Sequence, residues 1–522
     1  MTINELFATT VERFADRPAL SEPLEGGTIA TLTFRELQER ARHFAGHLQE
    51  QGIEKADRVL LWAASCSDWM VAYLGTLLVG AIVVPLDVSS KEDFLKRIVE
   101  NTEARLLITT RKQHAGLQAM QLPFIDIEAL PAGTLDTNRL PRIEDSDLAE
   151  LVFTSGTTGQ PKGVMLSHGN ITSNAMAAPS VVNMRSEDRS LSILPLSHML
   201  ELTVELALLY CGASVVYARS LAPDTLLKLL SSQHITCMIL VPQALQLFLS
   251  GIEREVRRQK KEKQWELLHR VATRLPFRMR RALFASVHKR FGGRFRFFVS
   301  GGAYLPLTLA TRWENMGFRV MQGYGATECS PVIGVTPYRE HVLTAVGKPL
   351  PGVDVRIAQD GEILVHGPNV AQGYWKNQEA TDAAFKDGWY QTGDLGSVDK
   401  KNYIYLKGRK KNLIVLANGL NVYPEDIENI LTSQADVKDA VVLGIQKENE
   451  GAEVHCMLLL NDSTKAKAIV QQTNKQLAAH QQIRGFTVWP GEDFPRTHTL
   501  KVKRLEVLDA LQKLRQAPAR KA

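Results

Sequence analysis

Residues 154–163 read Thr154-Ser155-Gly156-Thr157-Thr158-Gly159-Gln160-Pro161-Lys162-Gly163. They follow an apolar stretch, Leu148–Phe153, with the composition of a buried strand, and precede a helix pattern that begins near Asn170. A strand that runs into a loop of small hydroxyls, glycines and one lysine is suited to a polyphosphate. Glycines let backbone N–H groups approach the anion, the hydroxyls donate hydrogen bonds, and the lysine supplies charge. The spacing departs from the Walker pattern, because Gly163 follows Lys162 where Ser or Thr would stand.

Outward from this loop, apolar runs alternate with helical periodicity through most of the first 340 residues. Arg58–Ala63, Ile82–Val84 and Ala104–Thr109 read as strands, with helix patterns at Asp68–Val79 and Lys91–Asn101. The alternation returns at Ser190–Leu194, Ala213–Val216, Ile235–Val241 and Phe295–Ser300. Such repetition predicts parallel sheets covered by helices on both faces. Around Val346–Gly367 the texture changes to short strands and turns (Pro351-Gly352, Asp360-Gly361), which suggests a small β-barrel. A compact α+β segment follows Gly408-Arg409, with a helix expected over Pro424–Ser433.

At 522 residues the chain exceeds a single core, and its 44% hydrophobic and 23% charged content is that of a globular protein. Five scattered cysteines, Cys66, Cys211, Cys237, Cys329 and Cys456, form no CxxC pair or metal-like cluster, which points to a reduced, cytoplasmic setting. Met1–Asp16 lacks the charge and hydropathy of a signal peptide, and the longest apolar run, Tyr73–Leu86, is too short and glycine-rich to span a bilayer. No nucleic-acid partner is expected. The formal charge of +6 is uneven: Glu253–Arg290 holds thirteen Lys/Arg against four Glu, a local +9 that leaves about −3 elsewhere. This segment reads as two basic amphipathic helices with Trp265, Leu267, Leu268, Val271, Leu275, Phe277, Leu283, Phe284 and Val287 on apolar faces. Three readings stand: a solvated basic face over a core-facing stripe, peripheral attachment to anionic lipid, or docking of an acidic carrier protein.

Further along come Gly323-Tyr324-Gly325-Ala326-Thr327-Glu328, Tyr390-Gln391-Thr392-Gly393-Asp394, Gly408-Arg409-Lys410-Lys411 and Pro495-Arg496-Thr497-His498-Thr499-Leu500-Lys501-Val502-Lys503-Arg504. With the phosphate loop, in this order, they resemble the signature set of the adenylate-forming superfamily, which includes acyl-CoA synthetases, peptide-synthetase adenylation domains and firefly luciferase. The resemblance covers nearly the whole chain. It implies a large domain over 1–408, with two doubly wound αβ subdomains to about 340 and a β-barrel over about 341–408. A mobile small α+β domain over 409–522 completes it. It also implies ATP, Mg²⁺ and CoA as cosubstrates and cofactor.

A carboxylate is a poor electrophile, so it must attack the α-phosphate of ATP and become an acyl adenylate. Both partners are anions, and the site must supply cations and donors. By resemblance, Thr154, Ser155, Gly156, Thr157, Thr158, Gly159 and Lys162 hold the phosphates, and Thr157 and Glu328 position Mg²⁺, whose hard-ligand preference they meet. Gly301 and Gly302 line the adenine pocket through their backbone, Tyr324 stacks on the base, and Gln322, Gly323, Gly325 and Thr327 complete that wall. Asp394 accepts the ribose hydroxyls, and Arg409 contacts ribose or α-phosphate. Lys501 bridges the carboxylate and α-phosphate; Leu500 stands where many members have glycine, which leaves Lys503 as the alternative amine. Lys411 takes the hinge position about which the small domain rotates between half-reactions, and Gly419 lines the pantetheine tunnel.

Leu194-Pro195-Leu196-Ser197-His198-Met199 resembles the acyl-pocket motif of bacterial long-chain fatty acid–CoA ligases, with His198 beside the carboxylate; a structural histidine is the rival reading. The candidate wall of Met199, Leu200, Val204, Val241, Leu245, Val332 and Ile333 offers no partner for a substrate ammonium, which disfavours amino acids. The expected activity is fatty acid–CoA ligation through acyl-AMP. The alternative acceptor is an acyl carrier protein, and a third class is a fatty-acid-binding or oxygenase relative that retains the fold.

Overall fold

The computed structural model describes residues 1–24, 26–114, 122–154, 161–418, 420–434, 436–447, 451–496 and 502–516. The chain forms two units, one of Met1–Val355 with Val365–Tyr390, the other of Arg356–Leu364 with Gln391–Ala522.

The first unit is built on two sheets. One has six strands in the order Phe124–Asp126, Leu106–Thr109, Arg58–Trp62, Ile82–Leu86, Leu148–Thr154 and Lys162–Ser167, parallel except for the last pair. Its central strands are near-continuous apolar runs, as strands covered on both faces require, and Val59–Leu61, Ile82–Leu86 and Leu106–Ile108 are all buried. The other sheet has nine strands, of which six run parallel in the order Arg319–Gly325, Phe297–Ser300, Cys237–Leu240, Arg189–Ser192, Ser214–Tyr217 and Pro18–Pro23. The expected alternation and strand positions therefore hold, to within two residues at each end. Tyr73–Leu86 is core, as read: it forms the end of helix Ser67–Leu78, a turn at Gly80 and a buried strand. Burying a large apolar side chain of this kind contributes about 1.5–3 kcal/mol. Under the nine-stranded sheet, Phe291, Phe298, Trp313 and Phe318 pack edge to face, with Phe298–Trp313 centroids at 4.9 Å.

The basic segment departs from its expected form. In place of two helices, it comprises the end of Pro242–Arg258 and then Glu262–Ala272, Phe277–Leu283 and Ala285–Arg290. Lys260 takes a left-handed φ of 54°, and Pro276, which cannot donate to a preceding turn, separates the next two helices. Trp265, Phe284 and Val287 enter the core and Leu268 and Leu283 pack against it, whereas Leu267 and Val271 face outward at 54% and 41% exposure. Among the described residues no helix is long and apolar enough to cross a membrane.

In the second unit, Asp394–Val398 pairs antiparallel with Ile404–Arg409. Beyond lies a three-stranded sheet of Val437–Lys447, Gly451–Leu460 and Gly485–Val488. Its two long strands, Val437–Lys447 and Gly451–Leu460, alternate with period two. Val442, Cys456 and Leu458 face helices Pro424–Thr432 and Ala466–Asn474 through Ile427, Leu431 and Ile469, while Val441, Met457 and Leu459 pack with Val507 and Leu511 of Arg504–Gln516. Helices thus cover both faces of a small mixed sheet.

Candidate active site

Open sheets of parallel strands place ligands beyond the carboxyl ends of the strands. In the nine-stranded sheet, Leu240, Ser300 and Gln322 are in register, so Val241, Gly301 and Gly323 come next at that edge. A Cβ built at Gly301 would lie 3.3 Å from the Gly323 carbonyl oxygen and 3.5 Å from a Leu200 methyl; one at Gly302, whose φ is +78°, would lie 3.7 Å from a Val241 methyl. A Cβ at Gly323 would meet nothing within 4 Å. The structure thus brings Gly301, Gly302 and Gly323 together and sets two acyl-wall candidates against them. Gly325 differs. A Cβ there would sit 1.7 Å from the Pro331 carbonyl oxygen, which accepts from the Ala326 N–H at 2.9 Å. Glycine at 325 is imposed by the protein's own backbone, and not by room for a base. Tyr324 is buried, Gln322 is half-buried and clamped through its backbone to Thr336, and Thr327 opens a short 3₁₀ turn.

In the six-stranded sheet, the strands flanking the phosphate loop form a hairpin with Thr154 opposite Lys162. Ser155, Gly156, Thr157, Thr158 and Gly159 lie outside the described residues. Lys162 Nζ stands 5.0 Å from the centroid of the Tyr374 ring, and Tyr374 Oη donates to Glu328 Oε1 at 2.8 Å. Backbone hydrogen bonds hold this linkage on both sides: Trp375 N–H to Gly163 at 2.7 Å, Met165 N–H to Gly373 at 3.0 Å, and Ala371 N–H to Glu328 at 2.8 Å. Burial and the neighbouring Glu328 push the Tyr374 phenol above its ordinary range, so it remains a donor. Tyr374 is the residue that sequence reasoning missed; Gly373-Tyr374-Trp375, aromatics behind a glycine, was the available signal.

His198 stands at the start of helix Met199–Tyr210, with Nε2 3.6 Å from the Asp87 carboxylate. Asp87 directly follows the strand Ile82–Leu86, so His198 links the carboxyl edges of the two sheets. Ser65, just beyond Arg58–Trp62, does the same: its hydroxyl donates to the Leu194 carbonyl and accepts from the Leu196 N–H at 2.9 Å. Among the wall candidates, Leu200, Val241 and Val332 are half-buried, while Met199, Val204 and Ile333 are buried and Leu245 belongs to the packed core. Two acids on the same helix, Glu201 and Glu205, are also buried, and burial pushes each up to about 8.

In the second unit, Asp394 is buried and its carboxylate pairs with Arg409 Nε at 2.7 Å, while Arg409 Nη1 donates to the Thr392 carbonyl at 3.3 Å. The two expected ribose-side residues are therefore joined across facing strands. Lys410 is held by Asp360 at 2.6 Å and Glu362 at 2.9 Å. Lys411, in the 3₁₀ turn Lys410–Asn412, has its ammonium pKa lowered by burial and by Arg409. Gly419 and Lys501 lie outside the described residues; Lys503 pairs with Glu506 at 2.7 Å. Among the described residues no group of three His, Cys, Asp or Glu is placed to hold a metal. A nucleotide-bound Mg²⁺ needs only one or two protein oxygens beside phosphates and waters, and the half-buried Glu328, fixed by Tyr374, fits that requirement.

The Thr154–Lys162 hairpin is thus tied to the Glu328 carboxylate, and at the edge of the other sheet bare glycine backbone adjoins an apolar wall. Residues 7–375 match the family described as AMP-binding enzyme, and residues 411–514 match the AMP-binding enzyme C-terminal domain. The chain belongs to the AMP-binding enzyme family, and it is an adenylate-forming acid–thiol ligase. It is 29% identical to the long-chain-fatty-acid–CoA ligase FadD15 of Mycobacterium bovis, over 96% of this chain and 95% of that one. Among solved structures it is similar to ATP-bound MatB from Rhodopseudomonas palustris, at TM-score 0.83 and 25% identity over 98% and 100% of the two chains. It is also similar to the o-succinylbenzoate CoA synthetase of Bacillus subtilis in complex with its acyl-adenylate intermediate, at TM-score 0.81 and 25% identity over 96% and 97%.

Proposed function

We propose that this enzyme activates a long- or medium-chain fatty acid with ATP and transfers the acyl group to CoA. The observation that carries the reading is the seating of Leu200 and Val241 against Gly301 and Gly302, an apolar wall beside open nucleotide-facing backbone. The name of the FadD15 relative supports the acid class. In the first half-reaction a carboxylate oxygen attacks the α-phosphorus of ATP and diphosphate leaves. In the second, the CoA sulfur attacks the acyl carbon, the thiol proton is lost and AMP leaves. Residues 154–159 and Lys162 bind the phosphates, and Thr157 and Glu328 would hold Mg²⁺, which would supply positive charge beside the phosphates. Gly301, Gly302, Gln322, Gly323 and Tyr324 receive adenine, Asp394 and Arg409 the ribose side, and His198 the carboxylate. Lys501 neutralises the adenylation transition state; the engagement of Lys503 by Glu506 supports that register. Rotation at Lys411, between 1–408 and 409–522, then brings Gly419 to the pantetheine.

A panel of medium- and long-chain fatty acids and 2-succinylbenzoate, each with ATP and either CoA or holo acyl carrier protein, tests this. Acyl-CoA formed fastest from the fatty acids is the expected result. A preference for 2-succinylbenzoate, or turnover with the carrier protein alone, contradicts it.

A further inference from the structure

Two residues beyond Glu328 the backbone takes a conformation that few side chains allow. Ser330 is fully buried and holds a left-handed φ of 61°. A buried serine keeps such a conformation only where its surroundings dictate it, and strain of this kind gathers at working sites. Here side chains from three separate segments dictate it. Asn174 Nδ2 donates to the Cys329 carbonyl at 2.7 Å. Asn369 Nδ2 donates to the same oxygen at 3.0 Å and to the Val332 carbonyl at 3.1 Å. Thr203 Oγ1 donates to the Ser330 carbonyl at 3.1 Å, and the Ser330 hydroxyl donates to the Asn369 carbonyl at 2.9 Å.

Both asparagines are 1% exposed, and both carry a cost. Their Oδ1 atoms are buried and have no hydrogen-bond partner among the described residues, so each amide serves through what its nitrogen donates. Asn174 lies on helix His168–Val182, which continues directly from Lys162–Ser167, the second strand of the phosphate hairpin. One turn earlier on that helix, Asn170 Nδ2 donates to the Pro368 and Val370 carbonyls at 2.8 and 2.9 Å. Asn170 and Asn174, four residues apart, thus tie one helix face to the two segments that carry Tyr374 and Glu328. The Tyr374 hydroxyl orients the Glu328 carboxylate; the asparagines fix the turn from which that carboxylate projects.

We infer that Asn174 and Asn369 are positioning residues for adenylation. Gripping the Cys329 carbonyl from the hairpin's own helix and from the Tyr374 segment, they hold Glu328 in register with the phosphate hairpin, where it would meet the magnesium of a bound nucleotide. The inference rests on the reading of Glu328 as a magnesium ligand. Removal of a partner that orients a metal ligand typically costs about 10–100-fold in metal affinity.

Calorimetric titration with ATP, with and without Mg²⁺ and with no acid present, tests this apart from turnover. In wild type, Mg²⁺ should tighten ATP binding. N174A and N369A should each lose about tenfold or more of that gain, while binding ATP alone as wild type does. E328Q should show the same loss, and N174A/E328Q should lose no more than E328Q, because the asparagine acts through the carboxylate. A wild-type Mg²⁺ response in folded N174A and N369A overturns the inference. So does an additive loss in N174A/E328Q, or an equal weakening of ATP binding with and without Mg²⁺, either of which assigns the amides to packing alone. Should an alanine variant fail to fold, S330G carries the test: glycine suits the left-handed backbone, and only the hydroxyl that donates to Asn369 is lost. Its Mg²⁺ response should weaken, and an unchanged response overturns the inference. No Mg²⁺ gain in wild type, or an undiminished gain in E328Q, overturns the reading of Glu328 itself and the inference with it.

Discussion

The two ends of the strands Cys237–Leu240, Phe297–Ser300 and Arg319–Gly325 have opposite chemistry. At their carboxyl ends side chains are withdrawn: Gly301, Gly302 and Gly323 leave bare backbone, with Leu200 and Val241 alongside. At their amino ends side chains accumulate. Arg296 pairs with Asp188 and donates to the Asn183 carbonyl, Thr236 also donates to Asp188, and Arg281 and His288 are pinned to carbonyls. Strand polarity accounts for the division of labour. The carboxyl edge opens onto loops that can be spared from packing, whereas the amino edge must be closed over the cluster of Phe291, Phe298, Trp313 and Phe318.

The contrast predicts that the carboxyl edge recruits its catalytic charge from elsewhere in the chain, and Lys501 is the residue assigned that task. Lys501→Ala should slow acyl-adenylate formation by on the order of 10²–10³, the usual effect of losing a transition-state donor, while acyl-AMP supplied directly is still converted to acyl-CoA. Lys503→Ala should retain adenylation; the reverse pattern in single-turnover assays breaks the register.

The two glycines around Tyr324 sharpen the comparison next. Gly325→Ala places a methyl on the Pro331 carbonyl and should sharply lower the yield of folded protein, read by circular dichroism and solubility. Gly323→Ala meets open space and should fold normally, with its defect confined to a raised KM for ATP. A Gly323→Ala enzyme with wild-type ATP kinetics would show that adenine does not approach there.

In sequence these glycines are indistinguishable, which marks how far it could be read. The parallel strands were legible because apolar runs such as Ile82–Leu86 carry period and boundary in the local chain, and the order of motifs indicated the chemistry. Contacts between distant segments were not legible. Tyr374 reaches Glu328 across 46 positions, and His198 meets Asp87 only because two sheets converge. The breaks at Lys260 and Pro276 outweighed helical periodicity in the basic segment, where the apolar positions divided between core and surface.

A smaller effect is expected at the Tyr374 bridge. Tyr374→Phe keeps the ring under Lys162 and removes the hydrogen bond to Glu328, so kcat for adenylation should fall by about tenfold, as for loss of a hydrogen bond to a charged group. The Mg²⁺ concentration for half-maximal rate should rise, and restoration of wild-type rates at high Mg²⁺ would place the defect in metal positioning.

The smallest effect concerns stability. Glu201 and Glu205 are raised to about 8 by burial, from an ordinary 4.5, so the native protein holds protons that the unfolded chain releases. Their contribution is fully present below the ordinary value and is lost as pH rises through about 8. Glu201→Gln with Glu205→Gln should therefore flatten the fall in Tm between mildly acidic and alkaline pH, by a few degrees in scanning calorimetry. An unchanged pH profile would mean that the acids are solvated.

The central claim, that the carboxyl edge builds an acyl adenylate before any thiol is engaged, is tested most directly by isotope exchange. Labelled diphosphate should pass into ATP in the presence of Mg²⁺ and a fatty acid with no CoA added, because adenylation is a reversible half-reaction, and AMP should be the nucleotide product when CoA is supplied. Exchange that requires CoA, or release of ADP in place of AMP, would contradict the account.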